Sequence, residues 1–183
     1  QVFIYTPKGE VKELPAGSTS LDFAYRIHTD LGHRCVGAKV NGKLVPLNSI
    51  LQNGDTVEVM TSRVERGPSL DWLNPDLGYI RTAGARQTIR SWFRRQKRDA
   101  NIQQGKEVIH REMKRLRLNL DDLSVARLMK MDSPEEVFGA LGSGIISIAQ
   151  VANRLTEHQV SPIEPKTISH STGPSSGVHV LGV

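Results

Sequence analysis

The stretch "HTDLGHRC", residues 28 to 35, gathers two of the chain's 6 histidines, an arginine and the sole cysteine around one glycine. Residues of these types at this density suggest three kinds of chemistry. Cys35 with His28 and His33 could ligate zinc, but a zinc site takes four protein ligands, or three plus water, at spacings that let them converge. Here a helix stop and a strand start divide the three, which argues against a metal. Cys35 as a nucleophile with His33 as its base needs a third, orienting group that the segment does not supply. Cys35 reads better as a small core residue. His28 and His33 are then left with recognition or plain structure. His28 can cap the carboxyl end of a helix, where the dipole favours a partly protonated imidazole by about 0.3 to 1 kcal/mol. Equally, an exposed imidazole near Arg26, Arg34 and Lys8 can hydrogen-bond a ribose or stack on a base. On the residues alone both readings stand.

The rest of the sequence offers no competing catalytic constellation. It has no Gly-rich phosphate loop, no dinucleotide fingerprint, no paired cysteines and no His-Glu-x-x-His helix. Neither cofactor nor metal is expected. The charge is more informative. The net charge is +5, yet residues 1 to 64 carry 7 Lys/Arg against 6 Asp/Glu, while residues 81 to 117 carry 12 against 3. Half of the 24 basic residues lie in that second stretch, among them Arg86, Arg90, Arg94, Arg95, Lys97 and Arg98. A single such residue reads as part of a solvated helix face. A cluster this one-sided points to a polyanion, nucleic acid before membrane, because no apolar anchor accompanies it. No apolar run approaches the roughly 20 residues that span a bilayer. The lone cysteine fits a reducing, cytoplasmic setting. Gln1 opens straight into "VFIY" and the end, "GVHVLGV", reads as a strand cut short, so the chain reads as an internal segment of something longer.

These residues must be positioned by a fold, and the periodicity changes along the chain. "QVFIYTPKGEVKELPAG" is two strands around a Pro7-Lys8-Gly9 turn. "STSLDFAYRIHTDLG" takes helical spacing through Leu21, Ala24 and Ile27, with Thr19 or Ser20 able to cap the start and Gly32 to stop the end. "CVGAKVNGKLVPL" returns to period two, placing Val36, Ala38 and Val40 on one face and Asn41-Gly42 in a type I′ turn. "GDTVEVM" supplies a last strand. The order ββαββ in about 60 residues describes a β-grasp roll. The fold class is α+β: a β-grasp domain over 1–62, a charged linker over 63–69, an all-α domain over 70–157 and a flexible Ser/Thr/Pro/Gly-rich tail over 158–183. The helical part reads as a short capped helix, two amphipathic basic helices divided near residue 97, and three shorter helices. Asp121 or Asp122, Ser133 and Ser147 are expected at their N-caps, and Pro134 at a first helical position.

The elements "TPKGE", "LPAGST", "DFAYRIHTDLGH", "GAKVNG" and "L.NGD.VE", in this order, resemble the TGS domain of the RelA/SpoT homologue family of stringent-response enzymes. The following "DWLNPDLGYIRTAGARQTIRSWFRRQKRDANIQQGKEVIHRE" is similar to the helical domain that follows TGS in those enzymes. The resemblance covers residues 2 to about 157. It implies a regulatory segment that senses the 3′ CCA end of deacylated tRNA on the ribosome and relays this to (p)ppGpp synthetase and hydrolase domains lying elsewhere in the enzyme, so the segment itself is expected to have no catalytic activity. By the same resemblance the CCA-contacting histidine maps onto His28, with His33 second. Arg34 and Lys8 are added near the terminal phosphates on grounds of charge and neighbourhood. The family also implies an alternative, a protein-interaction module that binds acyl carrier protein or regulates the catalytic half directly.

Overall fold

The computed structural model describes residues 1–159. Strands β1 (Val2–Tyr5) and β2 (Val11–Leu14) pair antiparallel, with Val2 opposite Leu14 and Tyr5 opposite Val11. Strand β3 (Cys35–Val40) pairs antiparallel with both β4 (Lys43–Val45) and β5 (Val57–Thr61). A single parallel bridge between Tyr5 and Thr56, with the Tyr5 N–H donating to the Asp55 carbonyl at 2.9 Å, links the two sheets. This is the β-grasp arrangement, with five strands where the sequence pattern suggested four. The Asn41-Gly42 turn divides β3 from β4, and both turn residues take positive φ, 51° and 83°, as a type I′ turn requires. A register shift between Cys35 and Gly37 turns Val36 outward, so it leaves the face it was expected to share with Ala38 and Val40.

Helix α1 (Ser20–Ile27) crosses the sheet. Thr19 caps it through a reciprocal capping box with Asp22, which satisfies two of the free N–H groups at the helix start. Six consecutive residues, Ser20 through Tyr25, are buried. One flank, through Phe23, meets Ile4, Leu14, Ala38 and Val57 of the sheet. Leu21, Ala24 and Tyr25 meet Ile80, Ala85 and Ile89 from beyond the linker. Helix α1 ends at His28 rather than at Gly32. A short helix α2 (Thr29–His33) follows, and Gly32 lies inside it, pressed so closely on the Tyr25 ring that a β-carbon there would overlap it.

Residues 70–77 form two 3-10 turns, Leu70–Leu73 and Pro75–Leu77, in place of the expected short helix. The two expected basic helices are one: α3 (Ala83–Arg115) runs 33 residues without a break. Its front half packs Ala85 and Ile89 on the β-grasp core, while its rear half packs Ile109 and Met113 on α4 (Asp122–Leu128), α5 (Pro134–Gly142) and α6 (Ile148–Gln159). At 100° per residue, the inward face at Gly105 is turned roughly 160° from that at Ile89. Between the two contact zones, residues 94–100 are all exposed, with Arg94, Lys97 and Arg98 bordering a groove against α5. Asp121 and Ser133 cap α4 and α5, Pro134 takes the first position of α5, and the Ser147 hydroxyl accepts the Gln150 N–H at 3.2 Å. Helix α6 runs two residues into the region expected as tail, and the rest of that tail lies outside the described residues.

Candidate nucleic-acid interface

His28 occupies the corner between two helices. Its backbone N–H donates to the Ala24 carbonyl and closes α1, and its Nδ1 accepts the Asp30 N–H at 3.0 Å and caps α2. A ring nitrogen that accepts carries no proton, so in the neutral ring the proton sits on Nε2. The side chain is exposed. His28 is thus a helix cap whose side chain is otherwise exposed. The cap is at the amino end of α2, opposite in sense to the carboxyl-end cap considered from the sequence.

His33 lies elsewhere. Its Nδ1 sits 2.9 Å from the Tyr25 hydroxyl, its ring stands edge-on to Tyr25 at 5.3 Å and tilted against Trp92 at 6.2 Å, and its Nε2 is buried without a hydrogen-bond partner. Burial, and then the Arg95 guanidinium nearby, hold its pKa below the ordinary 6.5, with Asp30 opposing. His33 therefore belongs to the aromatic joint between the β-grasp unit and α3. Arg34 is also engaged: its guanidinium donates to the Ser62 carbonyl at 2.8 and 3.1 Å, and its Nη1 lies 3.7 Å from Asp30. It anchors the start of the linker. Lys8 is exposed on the β1–β2 turn, beside a groove of about 440 Å³ whose walls include Pro7, Ile27, Leu31 and Val57. The "HTDLGHRC" segment is therefore divided, with His28 facing out and His33 facing the joint. Cys35 is buried, and burial pushes its thiol up to about 11, which keeps it protonated at neutral pH.

The basic residues of α3 form a ridge. Arg90, Arg94, Arg95, Lys97 and Arg98 are exposed, and Arg86 is half-buried with a guanidinium N–H donating to the Ile80 carbonyl at 3.3 Å. Arg86, Arg90 and Arg94 follow one another at i, i+4 spacing along one helix face. Among the described residues none of these six lies within ion-pair distance of a carboxylate; the pairs present are Arg34–Asp30, His110–Asp122 and Arg115–Glu112. Glu135 and Glu136 of α5 share a groove with Arg94, Lys97 and Arg98 but stand beyond ion-pair distance. Among the described residues no group of three or more potential ligands could hold a metal ion, and no helix is long and apolar enough to cross a membrane.

Sequence reasoning missed the residue that joins these parts. Asp22 is 1% exposed, and its carboxylate accepts the Arg81 N–H at 3.0 Å, the Thr82 N–H at 3.1 Å and the Thr82 hydroxyl at 2.8 Å, besides the Thr19 N–H at 3.0 Å. The Thr19 hydroxyl donates to the Tyr79 carbonyl at 2.6 Å. The Thr19-x-x-Asp22 spacing was a visible capping-box signal, but its second set of donors, some 60 residues away, was not.

A β-grasp unit followed by a basic helical region is the pairing that two family comparisons define: residues 2–61 match the TGS domain and residues 92–156 the RelA/SpoT AH domain. The chain is 46% identical over 157 residues to a GTP pyrophosphokinase of Photobacterium angustum, and 45% identical over 157 residues to that of Escherichia coli K12, each time covering 85% of this chain and 21% of the relative. A GTP pyrophosphokinase of Streptomyces coelicolor is 42% identical over 165 residues, covering 86% of this chain and 19% of the relative. The chain belongs to the RelA/SpoT family, and it spans about a fifth of the length of the curated relatives it matches.

Proposed function

We propose that this chain is the regulatory segment of a stringent-response (p)ppGpp synthetase/hydrolase of the cytoplasm, and that it reads deacylated tRNA on the ribosome and relays the signal to catalytic domains outside this segment. The observation that carries the reading is the unpaired basic ridge of α3, built onto the same unit that exposes His28. Phosphate contacts supply affinity without sequence, whereas a small donor that can also stack suits a single-stranded end. A free 3′ ribose is distinguished from an aminoacylated one by closing around it, so that the added amino acid collides. In this reading His28, exposed at the helix corner, takes that task with Lys8, while His33 holds the joint to α3 and Arg34 holds the start of the linker. The chain alone turns over no (p)ppGpp.

The test is binding of deacylated and aminoacylated tRNA over a range of salt, with acyl carrier protein measured beside them. Neutralising Arg86, Arg90 and Arg94 together weakens both tRNA forms alike and flattens the salt dependence by roughly 0.7 to 0.9 log units per lost phosphate contact. An unchanged salt slope removes the arginines from the interface. Tight acyl carrier protein binding without tRNA binding replaces the reading with the protein-interaction alternative.

A further inference from the structure

His28 and the arginine ridge lie on different helices, and one buried carboxylate ties those helices together. Asp22 stands in the first turn of α1, whose far end is His28, and it accepts the backbone N–H groups of Arg81 and Thr82 at the start of α3. The Thr82 hydroxyl, which donates to Asp22 at 2.8 Å, also accepts the Ala85 N–H and so caps α3. Both helices thus begin at the same carboxylate. Along the helix axes His28 lies about 9 Å from this joint and Arg86 to Arg94 about 6 to 18 Å from it. The aromatic contacts Tyr25–Trp72 and His33–Trp92 also span the joint.

We propose that Asp22 is a positioning residue that makes one composite RNA surface out of two partial ones, a 3′-end reader at His28 and a phosphate ridge on α3, held at fixed spacing. This inference rests on the RNA reading above. The partner it fits is an RNA whose unpaired 3′ end emerges from a base-paired stem, because such a molecule offers a flexible end and a phosphate track on one rigid body. Two weak contacts held at matching spacing reinforce each other through effective concentration, and a loosened joint forfeits that gain without touching either contact. Asp22 itself does not touch the RNA, being 1% exposed.

The experiment uses the whole chain and three RNAs: a hairpin with a CCA 3′ overhang, the blunt hairpin, and a short single strand ending in CCA. Wild type binds the overhang hairpin far more tightly than either part. Asp22→Asn removes the charge and turns an amide towards the N–H donors. It is expected to lose roughly ten- to hundredfold in affinity for the overhang hairpin while binding each part within about twofold of wild type. Thr82→Ala, which keeps the carboxylate and deletes one donor and the α3 cap, gives a smaller loss of the same pattern and serves if Asp22→Asn does not fold. The Asn variant is more positive by one charge, so plain electrostatics predicts tighter binding, opposite in sign. Equal loss on all three RNAs, or none on the overhang hairpin, overturns the proposal. If wild type binds neither part, the RNA reading itself falls. If it binds both parts but the overhang hairpin no better, only the composite surface falls.

Discussion

At the scale of the residue, His28 carries two roles that substitution can separate. Asparagine is a preferred N-cap, so His28→Asn keeps an acceptor for the Asp30 N–H and is expected to change stability by under about 0.5 kcal/mol, whereas alanine removes the cap and costs roughly 1 kcal/mol. Both lose the imidazole. The expectation is that both variants lose the preference for deacylated over aminoacylated tRNA while only alanine lowers the melting temperature; a His28→Asn protein with full preference returns His28 to the role of cap alone. His33 behaves differently. Its folded pKa is depressed, chiefly by burial, so below the unfolded value of about 6.5 the unfolded chain binds the extra proton. Its contribution is complete above that value and is lost as pH falls through it towards the folded pKa. Melting temperature should fall on going from pH 7.5 to 5.5, and His33→Gln, whose amide can still accept from Tyr25, should fall less steeply. The sequence singled these histidines out but did not show which way each faced, because orientation depends on where the helices break: α1 stops at Ile27, and α2 then turns His33 inward against Trp92.

At the scale of the element, the main departure from the sequence reading is the continuity of α3. Its apolar stripe loses phase in the middle, since one half answers to the β-grasp core and the other to the bundle, and a phase change across a polar run looks like a break. No proline or glycine interrupts residues 94–104, so the backbone continues. The seven residues 94–100 are exposed and contribute no side chain to either core, and Arg90–Arg94 and Arg94–Arg98 are like-charged i, i+4 pairs. Amide exchange in α3 should be fastest there and slower on both sides, and a ridge-binding polyanion should slow it. The rear half is the opposite case. A β-carbon at Gly105 would overlap the Phe138 carbonyl, and one at Gly142 the Asn101 carbonyl, so α3 and α5 meet backbone to backbone. Alanine would gain about 1 kcal/mol of helix propensity at Gly105, but the helices must separate to admit it. The separation uncovers Ile109, Val137 and Phe138 and should outweigh that gain, for a net loss of roughly 1 to 3 kcal/mol. Both glycines were plain in the sequence, but nothing local told them apart from glycines in turns.

At the scale of the whole molecule, the shift from strands to helices was legible in the change of period, and the charged stretch at 63–69 lies between the last strand and the first 3-10 turn. What periodicity could not reveal is that residues 70–93 pack on the first unit, where Ile80, Ala85 and Ile89 share a core with Leu21, Ala24, Tyr25 and Cys35. Side chains 60 residues apart in sequence pack together there without any local sign. The physical units are therefore the β-grasp with the front of α3, and the rear of α3 with α4 to α6, joined through the exposed turns at 94–100. Two cores linked by one unsupported helical segment should unfold as two units. Both tryptophans, Trp72 and Trp92, sit at the first unit, while most helical residues with packed partners lie in the second. Tryptophan emission and helical circular dichroism should then give different urea midpoints. Gly105→Ala should move the dichroism midpoint down and leave the emission midpoint in place, and Asp22→Asn should do the reverse, because the carboxylate it alters lies inside the first unit alone. Coincident midpoints that shift together in both variants would show that the exposed turns transmit stability as a single cooperative core does, and the molecule would then have one unit instead of two.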